Sequence, residues 1–253
     1  MAGAAVLGRL RAQRVLWHVA EVADATRETP RARTLMFTAP GWEGHQPGQH
    51  VDVRLTAEDG YQAQRSYSIA SAPAGERLAI TVERLDDGEV SPYLVDEIQP
   101  GDAVELRGPI GGYFVWEPED PAPVLLVAGG SGVVPLMSML RHHAGLRSEV
   151  PVRLLYSSRT LGDVIYRDEL VRLSHVPVEV IHTLTREQPA GWNGYSRRVD
   201  AELLAEVAWP LADRPAAFIC GPSGFVETVA QALAELGYEA ARLKTERFGP
   251  TGG

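Results

Sequence analysis

Residues 124–135 read VLLVAGGSGVVP, and the order of residue types in this segment defines the fold of the second half of the chain. Its first five residues are apolar, as is typical of a strand buried on both faces. Three glycines follow within four residues, and Pro135 suits the first turn of a helix. A strand, a glycine turn and a helix in this order let the backbone approach a pyrophosphate at the helix start. We therefore interpret Gly130, Ser131 and Gly132 as a dinucleotide-binding loop.

Downstream of this loop, strand-like and helix-like segments alternate. The predicted strands are Val124–Ala128, Val152–Tyr156, Val178–Thr183 and Ala216–Cys220, and the predicted helices are Pro135–His143, Asp168–Leu173, Ala201–Val207 and Gly224–Leu236. Such alternation requires parallel strand pairing with crossovers. It predicts a doubly wound parallel-sheet domain that binds a nucleotide.

Upstream of residue 118 the sequence has a β pattern. Short apolar or alternating segments are separated by Gly, Pro and Asp turns. The predicted strands are Val15–Val22, Arg33–Thr38, His50–Leu55, Arg65–Ile69, Leu78–Arg84 and Ala103–Arg107, and one short helix is predicted at Ser91–Ile98. This spacing predicts an antiparallel six-stranded barrel.

A polar connector separates the two patterns. Residues 117–123 read EPEDPAP, with three prolines and three acidic residues, as is typical of a stiff linker. We therefore expect an N-terminal arm (1–14), a β-barrel domain (15–117), a linker (118–123) and a nucleotide-binding domain (124–253).

The composition limits the classes of function. The chain has 253 residues, 45% of them hydrophobic, and its net charge of −9 argues against a general nucleic-acid binder. Its apolar runs are too short to span a bilayer and it opens without a leader, so we expect a cytoplasmic protein, and a monomer. Cys220 is the only cysteine, which excludes internal disulfides and clusters ligated by this chain's cysteines. The seven histidines show no metal-ligand spacing, so we predict no metal site.

The run RSYS at residues 65–68 places a cation, an aromatic ring and two hydroxyls on one short segment. A flavin dinucleotide requires a counter-charge at its pyrophosphate, a stacking partner for its ring and a hydrogen bond near N5. Arg65 suits the first requirement, Tyr67 the second and Ser68 the third. Taken alone, the four residues are better explained by an ordinary half-buried strand.

Two further segments support a cofactor site, and each also has a simpler explanation. GEVS at residues 88–91 precedes the predicted short helix, where backbone N–H groups and the Ser91 hydroxyl suit a phosphate. Ser91 is equally a plain N-cap followed by Pro92. The turn GPIGGYF at residues 108–114 either forms a wall beside a cofactor or only closes a hairpin.

The RSYS, GxxS and GPxG segments, in this order and followed by a nucleotide-binding domain, resemble the ferredoxin–NADP reductase superfamily from about Trp17 onward. The resemblance implies that the barrel binds FAD. It implies that Arg65 contacts the pyrophosphate, that Tyr67 packs on the flavin and that Ser68 bonds to N5. The further FAD contacts that it implies are Ser66, Glu89, Val90 and Ser91.

The resemblance extends to the nucleotide-binding half. Ser131 stands where the family's GGTG loop has threonine, and it retains the hydroxyl. CGPSG at residues 220–224 resembles the family's C-G-P motif. This implies that Cys220 lies beside the reacting nicotinamide carbon, with Gly221 and Pro222 next to it. A single buried cysteine is otherwise usually a small apolar core residue.

The residues after the second and third strands of this half favour NADP over NAD. A fold that selects NAD usually places an acid after its second strand, where it binds the ribose 2′-OH. Here Ser158 and Arg159 supply a donor and a positive charge at that point, and Arg186 follows the next strand. Arg198 resembles the arginine of the family's WxGxxGR element, although Arg197 replaces its last glycine. Relatives that use NAD share some of these arginines, so NAD remains an alternative.

The end of the chain resembles bacterial reductases and the reductase components of oxygenases. KTERFG at residues 244–249 resembles their E-K-F ending. This implies that Glu246 lies close to the flavin and relays protons, and that Phe248 covers the ring until nicotinamide displaces it. Residues 250–253 are also compatible with a frayed tail. We expect the catalytic residues to be Ser68, Cys220 and Glu246.

Together these features predict an FAD-dependent oxidoreductase in which NADPH gives a hydride to flavin N5. Because the chain lacks cluster-forming cysteines, we expect the electrons to pass to a separate ferredoxin or flavodoxin that serves an oxygenase. Arg9, Arg11 and Arg14 either dock an acidic partner or form a solvated arm. Two alternatives stay open: an NAD(P)H:flavin reductase that releases reduced flavin, and a flavin-bound regulatory or electron-transfer subunit without turnover of its own.

Overall fold

The computed structural model describes residues 16–73 and 77–248. Its first half is an antiparallel six-stranded sheet in the order β4-β3-β6-β1-β2-β5. The strands are β1 (Trp17–Thr29), β2 (Ala32–Thr38), β3 (His50–Thr56), β4 (Gln62–Ser68), β5 (Arg77–Glu83) and β6 (Ala103–Ile110). An antiparallel bridge between Ile69 and Ile80 joins the two edges of the sheet. The predicted barrel is therefore confirmed.

Alternation of side chains builds the barrel core. In β2, Leu35 and Phe37 are fully buried, whereas Thr34 and Met36 are only partly buried. Leu35 and Phe37 belong to the same core cluster as Val53 of β3. A period of two sends one face of each strand into the barrel. The other face is free to meet solvent or the second half of the chain.

The second half is a parallel five-stranded sheet in the order β11-β10-β7-β8-β9. Its strands are β7 (Val124–Gly129), β8 (Val152–Ser158), β9 (Val178–Leu184), β10 (Ala216–Pro222) and β11 (Leu243–Phe248), and its helices are α1 (Val133–Leu146), α2 (Arg167–Leu173), α3 (Ala201–Val207) and α4 (Ser223–Glu235). All of β7 is buried, with Leu126 and Ala128 in one core cluster and Leu125 and Val127 in another. The predicted doubly wound sheet is confirmed. In the described residues no helix is long and apolar enough to cross a lipid bilayer.

The short helix predicted at Ser91–Ile98 is present at residues 91–97, of which Tyr93–Glu97 form a π-helical turn. The strand β11 is not predicted, because its sequence LKTERF has no apolar run; it forms by pairing in parallel with β10. The N-terminal arm, with Arg9, Arg11 and Arg14, and residues 249–253 lie outside the described residues.

The two sheets share one hydrophobic cluster where they meet. Ala79 and Phe114 from the first half are buried in the same cluster as Met139 of α1. The Ser138 hydroxyl of α1 also donates to the carbonyl oxygen of Ser71, which follows β4, at 2.7 Å. Helix α1 therefore packs against both halves and holds them together.

Gly48 lies where the barrel meets α1. Its φ of +99° is left-handed, and a Cβ built on it would lie 1.9 Å from the carbonyl oxygen of Phe114 and 2.8 Å from Cε of Met139. The next residue, Gln49, donates from Nε2 to the carbonyl oxygen of Gly111 at 2.6 Å. Only glycine allows the chain to pass this closely between the last barrel turn and the helix.

We expect Gly48→Ala to lower the free energy of unfolding by at least about 3 kcal/mol, because a backbone clash adds to the cost of a left-handed alanine. Gly44→Ala is the matched control, since Gly44 has a similar φ of +101° but nothing within 4 Å of its added Cβ. That variant should lose only about 1 kcal/mol. Urea denaturation measures both losses, and equal losses would contradict the proposed clash.

Candidate active site

The end of β4 and the last strand, β11, meet through one hydrogen bond. The Ser68 hydroxyl donates to Oε1 of Glu246 at 3.0 Å, although the two residues are 178 positions apart in sequence. Ser68 is buried and Glu246 is half-buried. The structure therefore brings together a predicted catalytic residue from each half of the chain.

Cys220 is the third predicted catalytic residue, and it lies beside Glu246. The two residues are register partners in the parallel pair of β10 and β11. Cys220 is fully buried, which raises the pKa of its thiol well above the ordinary value, and the nearby Glu246 carboxylate raises it further. The sulfur is therefore a neutral thiol that offers a small apolar contact, and it is not poised as a nucleophile.

Glu246 is a carboxylic acid removed from water. Burial raises its pKa from about 4.5 to about 7, and the hydrogen bond from Ser68 opposes this rise only in part. A group with this pKa exchanges a proton near neutral pH. The Ser68–Glu246 pair can therefore hold or release a proton at the place where the two sheets meet.

The dinucleotide-binding loop lies against the C-G-P segment. Gly130–Gly132 form a 3-10 turn that leads into α1, and Gly130 has a φ of +56°. A Cβ on Gly132 would lie 2.1 Å from the carbonyl oxygen of Cys220 and 2.7 Å from the nitrogen of Gly221. The glycine is thus required for the close approach of the two segments, which forms a cradle that fits a dinucleotide. Ser131 is half-buried in this turn and Pro222 is exposed at the end of β10.

The predicted FAD contacts on β4 have different surroundings. Arg65 is exposed and pairs with Glu89, Nη2 to Oε2, at 2.6 Å. Glu89 also accepts a hydrogen bond from the Tyr61 hydroxyl at 2.8 Å, and the bonds from Tyr61 and Arg65 lower the pKa of its carboxyl. Tyr67 is half-buried against the barrel core, and burial raises the pKa of its phenol. Arg65 and Glu89 are therefore brought together, as an ion pair.

Ser66 points away from this group. Its hydroxyl donates to Oδ1 of Asp52 at 2.6 Å, and Arg107 holds the other carboxylate oxygen at 2.5 Å. Alternation along a strand places Ser66 on the face opposite to Arg65 and Tyr67. The structure therefore gives the Ser66 hydroxyl a partner within the barrel.

The interpretation of Ser91 as an N-cap is wrong. Its Oγ accepts a hydrogen bond from the backbone N–H of Leu85 at 3.0 Å, and the π-helical turn that follows has Pro92 at its cap. Ser91 therefore closes the turn that contains Glu89. Val90 is fully buried in the barrel core, so only its backbone is available to a ligand.

The arginines predicted for a 2′-phosphate lie after β8 and β9. The backbone N–H of Arg186 donates to the carbonyl oxygen of Arg159 at 2.9 Å, and both residues are exposed. Ser158 is buried beside them. Arg198 is exposed in the loop before α3, whereas Arg197 pairs with two glutamates of that helix. Arg159, Arg186 and Arg198 form no ion pair with any residue in the described ranges.

Phe248, the last described residue, is half-buried against the hydrophobic cluster that the two sheets share, and it is the register partner of Pro222.

Two residues near the site were missed by the sequence reasoning. Tyr61 binds Glu89, and Phe225 lies where a Cβ on Gly129 would approach its ring to 3.0 Å. Phe225 directly follows the CGPSG run, so the sequence could have predicted its position near the site. Tyr61 carries no such signal, because only barrel closure brings it to Glu89.

The raised pKa of Glu246 predicts a pH-dependent stability. Because the folded chain retains a proton that the unfolded chain loses above about pH 4.5, the free energy of unfolding should fall as pH rises toward 7. Glu246→Gln keeps the site neutral and should remove a loss on the order of 2 kcal/mol between pH 5 and 8.

Urea denaturation of the flavin-free protein at several pH values measures this difference. Glu235→Gln, on the exposed face of α4, is the control. Its free energy of unfolding should differ from that of the wild type by the same amount at every pH. A Glu246→Gln variant that tracks the wild type across this range would show that the carboxyl is not held in a dry environment.

Comparisons with known proteins agree with this arrangement of two halves. The family model of the oxidoreductase FAD-binding domain matches residues 20–115. The model of the oxidoreductase NAD-binding domain matches residues 126–231. FAD and a nicotinamide dinucleotide are therefore the cofactors of this chain.

Solved structures share the fold. The FAD/NAD-binding domain of nitric oxide dioxygenase from Vibrio cholerae has a TM-score of 0.82 and 27% identity, and the match covers 92% of this chain and 99% of that one. A ferredoxin NADP+ reductase from Neisseria gonorrhoeae, with bound FAD and NADP, has a TM-score of 0.80 and 22% identity over 91% of this chain and 98% of that one.

Two curated relatives show the relationship in sequence. The glycine betaine monooxygenase reductase subunit of Chromohalobacter salexigens is 34% identical over 245 residues, and the match covers 92% of this chain but 65% of that protein, so this chain spans slightly less than two thirds of it. Ferredoxin–NADP reductase B of Sorangium cellulosum is 39% identical over 210 residues, which cover 79% of this chain and 84% of the relative. That degree of identity over most of a reductase shows that the chain belongs to the ferredoxin–NADP reductase superfamily, as an oxidoreductase with an FAD-binding and an NAD-binding domain.

Proposed function

We propose that this chain reduces bound FAD with NADPH and passes the electrons to a separate redox protein. The observation that supports this most directly is the hydrogen bond from Ser68 to Glu246. It brings the strand that carries RSYS next to the strand pair that carries Cys220 and Glu246. A flavin bound on the barrel side and a nicotinamide bound on the sheet side would meet there.

The barrel offers groups that fit FAD. Arg65 and Tyr67 lie on one face of β4, and Ser68 ends the strand. Arg65 would exchange the carboxylate of Glu89 for the pyrophosphate, one anion for another, and so keep a charge-assisted pair. FAD, when bound, supplies a hydride acceptor at N5 and a means of releasing electrons onward. Backbone groups of residues 89–91 complete the proposed phosphate contacts.

The sheet side supplies shape and a proton. We assign Cys220 to packing against the nicotinamide ring, because its buried thiol stays neutral. Glu246 has a pKa of about 7, so its carboxyl takes up or releases a proton near neutral pH, and the hydrogen bond from Ser68 orients it. Phe248 lies at the end of the same strand, where its ring would cover the flavin.

The choice of NADPH rests on unpaired cations. Arg159 and Arg186 lie side by side at the ends of β8 and β9 and pair with no carboxylate in the described ranges, and Arg198 lies in the loop after β9. A 2′-phosphate would bring them a counter-charge, whereas the 2′-OH of NADH would not. NADH remains the second candidate, because the cradle at Gly132 binds the part that both nucleotides share.

We expect the double variant Arg159→Ala, Arg186→Ala to raise the Kd for NADPH at least tenfold and to change the Kd for NADH less than twofold, because only NADPH carries the phosphate. Arg172→Ala, an exposed arginine on α2, is the control. Stopped-flow reduction of the FAD-loaded protein over a series of nucleotide concentrations gives these constants. Equal losses for both nucleotides, or a wild type that prefers NADH, would contradict the choice of NADPH.

A separate acceptor is supported by the relatives and by the composition. Relatives of this chain include reductase components of a glycine betaine monooxygenase and of a 3-ketosteroid-9-alpha-monooxygenase. The 253 residues include one cysteine. An iron–sulfur acceptor would therefore take its cysteine ligands from another protein segment. We therefore propose a ferredoxin or flavodoxin as the acceptor, serving an oxygenase.

The flavin-reductase alternative makes a different prediction. We expect FAD to stay bound through gel filtration and NADPH-driven reduction of a ferredoxin to saturate with ferredoxin concentration, because electrons leave from a resident flavin. A higher kcat/KM for free FMN or FAD than for any ferredoxin, together with loss of FAD on the column, would instead support the flavin reductase. Turnover with neither acceptor would support the non-catalytic subunit.

Three further expectations belong to this proposal. The division between domains at residues 118–123 is supported by Asp120, which pairs with Arg242 at 2.7 Å and so fastens the connector to the nucleotide-binding half. A cytoplasmic location and a monomeric state remain predictions. Size-exclusion chromatography with light scattering tests the monomeric state.

A further inference from the structure

We propose that Tyr166 is a positioning residue that locks the nucleotide-binding sheet to the barrel at one angle and thereby sets how closely nicotinamide approaches the flavin. This inference rests on the proposed function. Tyr166 lies directly before α2, outside every motif that predicts a cofactor contact. We call the group Tyr166, Thr81, Thr34, Glu28 and Arg141 the Tyr166 cluster.

The Tyr166 side chain crosses the junction. Its hydroxyl shares a hydrogen bond with the hydroxyl of Thr81 on β5. Thr81 is in turn hydrogen-bonded to the hydroxyl of Thr34 on β2 at 2.8 Å. Tyr166 is only 3% exposed and Thr81 only 5%, so water does not compete for these bonds. Three hydroxyl groups from the two halves therefore form one chain, which is buried at Tyr166 and Thr81 and partly buried at Thr34.

A carboxylate of the barrel holds both ends of this chain. The backbone N–H of Tyr166 donates to Oε2 of Glu28 at 3.2 Å, and the Thr34 hydroxyl donates to Oε1 at 2.6 Å. Such a buried polar network, with its members bonded, tolerates far less change of geometry than apolar packing does. The Tyr166 cluster therefore specifies one arrangement of the two halves.

Arg141 links the cluster to the segment that carries Ser68. Its Cζ lies 4.8 Å from the centroid of the Tyr166 ring, and Glu169 holds its Nε and Nη2 at 2.9 and 2.6 Å. Its Nη1 donates to the carbonyl oxygen of Ala70 at 2.8 Å. Ala70 is two residues beyond Ser68, so a displacement of Arg141 would also displace the backbone at the end of β4.

On the other side, Tyr166 is tied to the strand that leads to the proposed phosphate site. The N–H of Ile165 donates to the hydroxyl of Tyr156 on β8 at 3.2 Å, and Tyr156 is three residues before Arg159. Tyr166 itself has a φ of +59°, which is unfavourable for a residue with a side chain. Contacts from both halves hold this conformation in place, as expected of a residue whose position matters.

The expected consequence is a separation of rate from affinity. Hydride transfer requires reacting atoms about 3–3.5 Å apart, so a small change of angle between the halves lowers the rate steeply. Binding of NADPH depends on the loops of the sheet alone and should change little. A residue that only stabilises the fold would change neither quantity in the folded protein.

The test uses two variants that remove the same bond from opposite sides, Tyr166→Phe and Thr81→Val, in the FAD-loaded full chain. Tyr238→Phe is the matched control: Tyr238 is also buried, its hydroxyl accepts a hydrogen bond from the N–H of Trp209 at 3.1 Å, and it belongs to the core cluster on the other side of the sheet. The readouts are the rate constant of FAD reduction, the Kd for NADPH, and the long-wavelength absorbance that reports stacking of nicotinamide on flavin.

We expect both junction variants to lower the rate constant five- to tenfold, to weaken the stacking absorbance and to change the Kd less than twofold. The double variant should match Thr81→Val, because Thr81→Val already loses the bond to Tyr166 together with the bond to Thr34. Tyr238→Phe should lose thermal stability without these changes. A Tyr166→Phe variant with the rate constant and absorbance of the wild type, or equal losses in Tyr238→Phe, would overturn the proposal.

Hydrogen exchange keeps the inference testable if Tyr166→Phe does not load FAD. In Thr81→Val we expect faster amide exchange on both sides of the junction, at residues 77–83 and 160–173, and unchanged exchange there would overturn the proposal. If wild-type protein reduces FAD with neither nucleotide, the proposed function fails, and the exchange measurement still decides whether Tyr166 locks the junction.

Discussion

The hydrogen bond between Ser68 and Glu246 joins the two halves of the chain where the barrel strand β4 and the sheet strand β11 end side by side. Burial of the Glu246 carboxyl at this place raises its pKa to about 7, and the bond from Ser68 opposes that rise only in part. The bond acts together with the packing of α1 against the barrel. The pairing of β11 with β10, which sets Glu246 beside Cys220, keeps this carboxyl in place.

The junction between the two halves is stiff because the residues on its two sides are closely packed. Ala79 of the barrel is buried in the same cluster as Met139 of α1, Gly48 fits only without a side chain, and Gly132 lies in contact with the backbone of Cys220. Close-packed contacts of this kind resist small displacements. The hydroxyl chain at Tyr166 also fixes the relative orientation of the two halves, because hydrogen bonds depend on angle as well as distance. In the proposed function, such a frame would control the distance between the two reacting rings.

Local patterns predicted the elements, and chain-distant contacts escaped them. The apolar run of β7 and the alternation in β2 specify their strands because burial acts on each residue directly. The strand β11 was missed because LKTERF is half charged and pairs only at an edge of the sheet. The interpretation of Ser91 as an N-cap was wrong because a hydroxyl before a proline is compatible with a cap or with a turn, and only the position of Leu85 decides. Tyr166 has no sequence signal at all, since its partners Glu28 and Thr81 lie in the other half of the chain.

In the proposed function, flavin and nicotinamide meet beside Ser68 and Glu246. The most direct measurement mixes FAD-loaded protein anaerobically with NADPH carrying deuterium at one face of nicotinamide C4 and follows the absorbance of oxidised flavin in a stopped-flow instrument. We predict a single-exponential loss of absorbance that is slower with deuterium on one face than with hydrogen. Oxidised flavin that persists with both NADPH and NADH, or a reduction rate that ignores deuterium on either face, would contradict the claim.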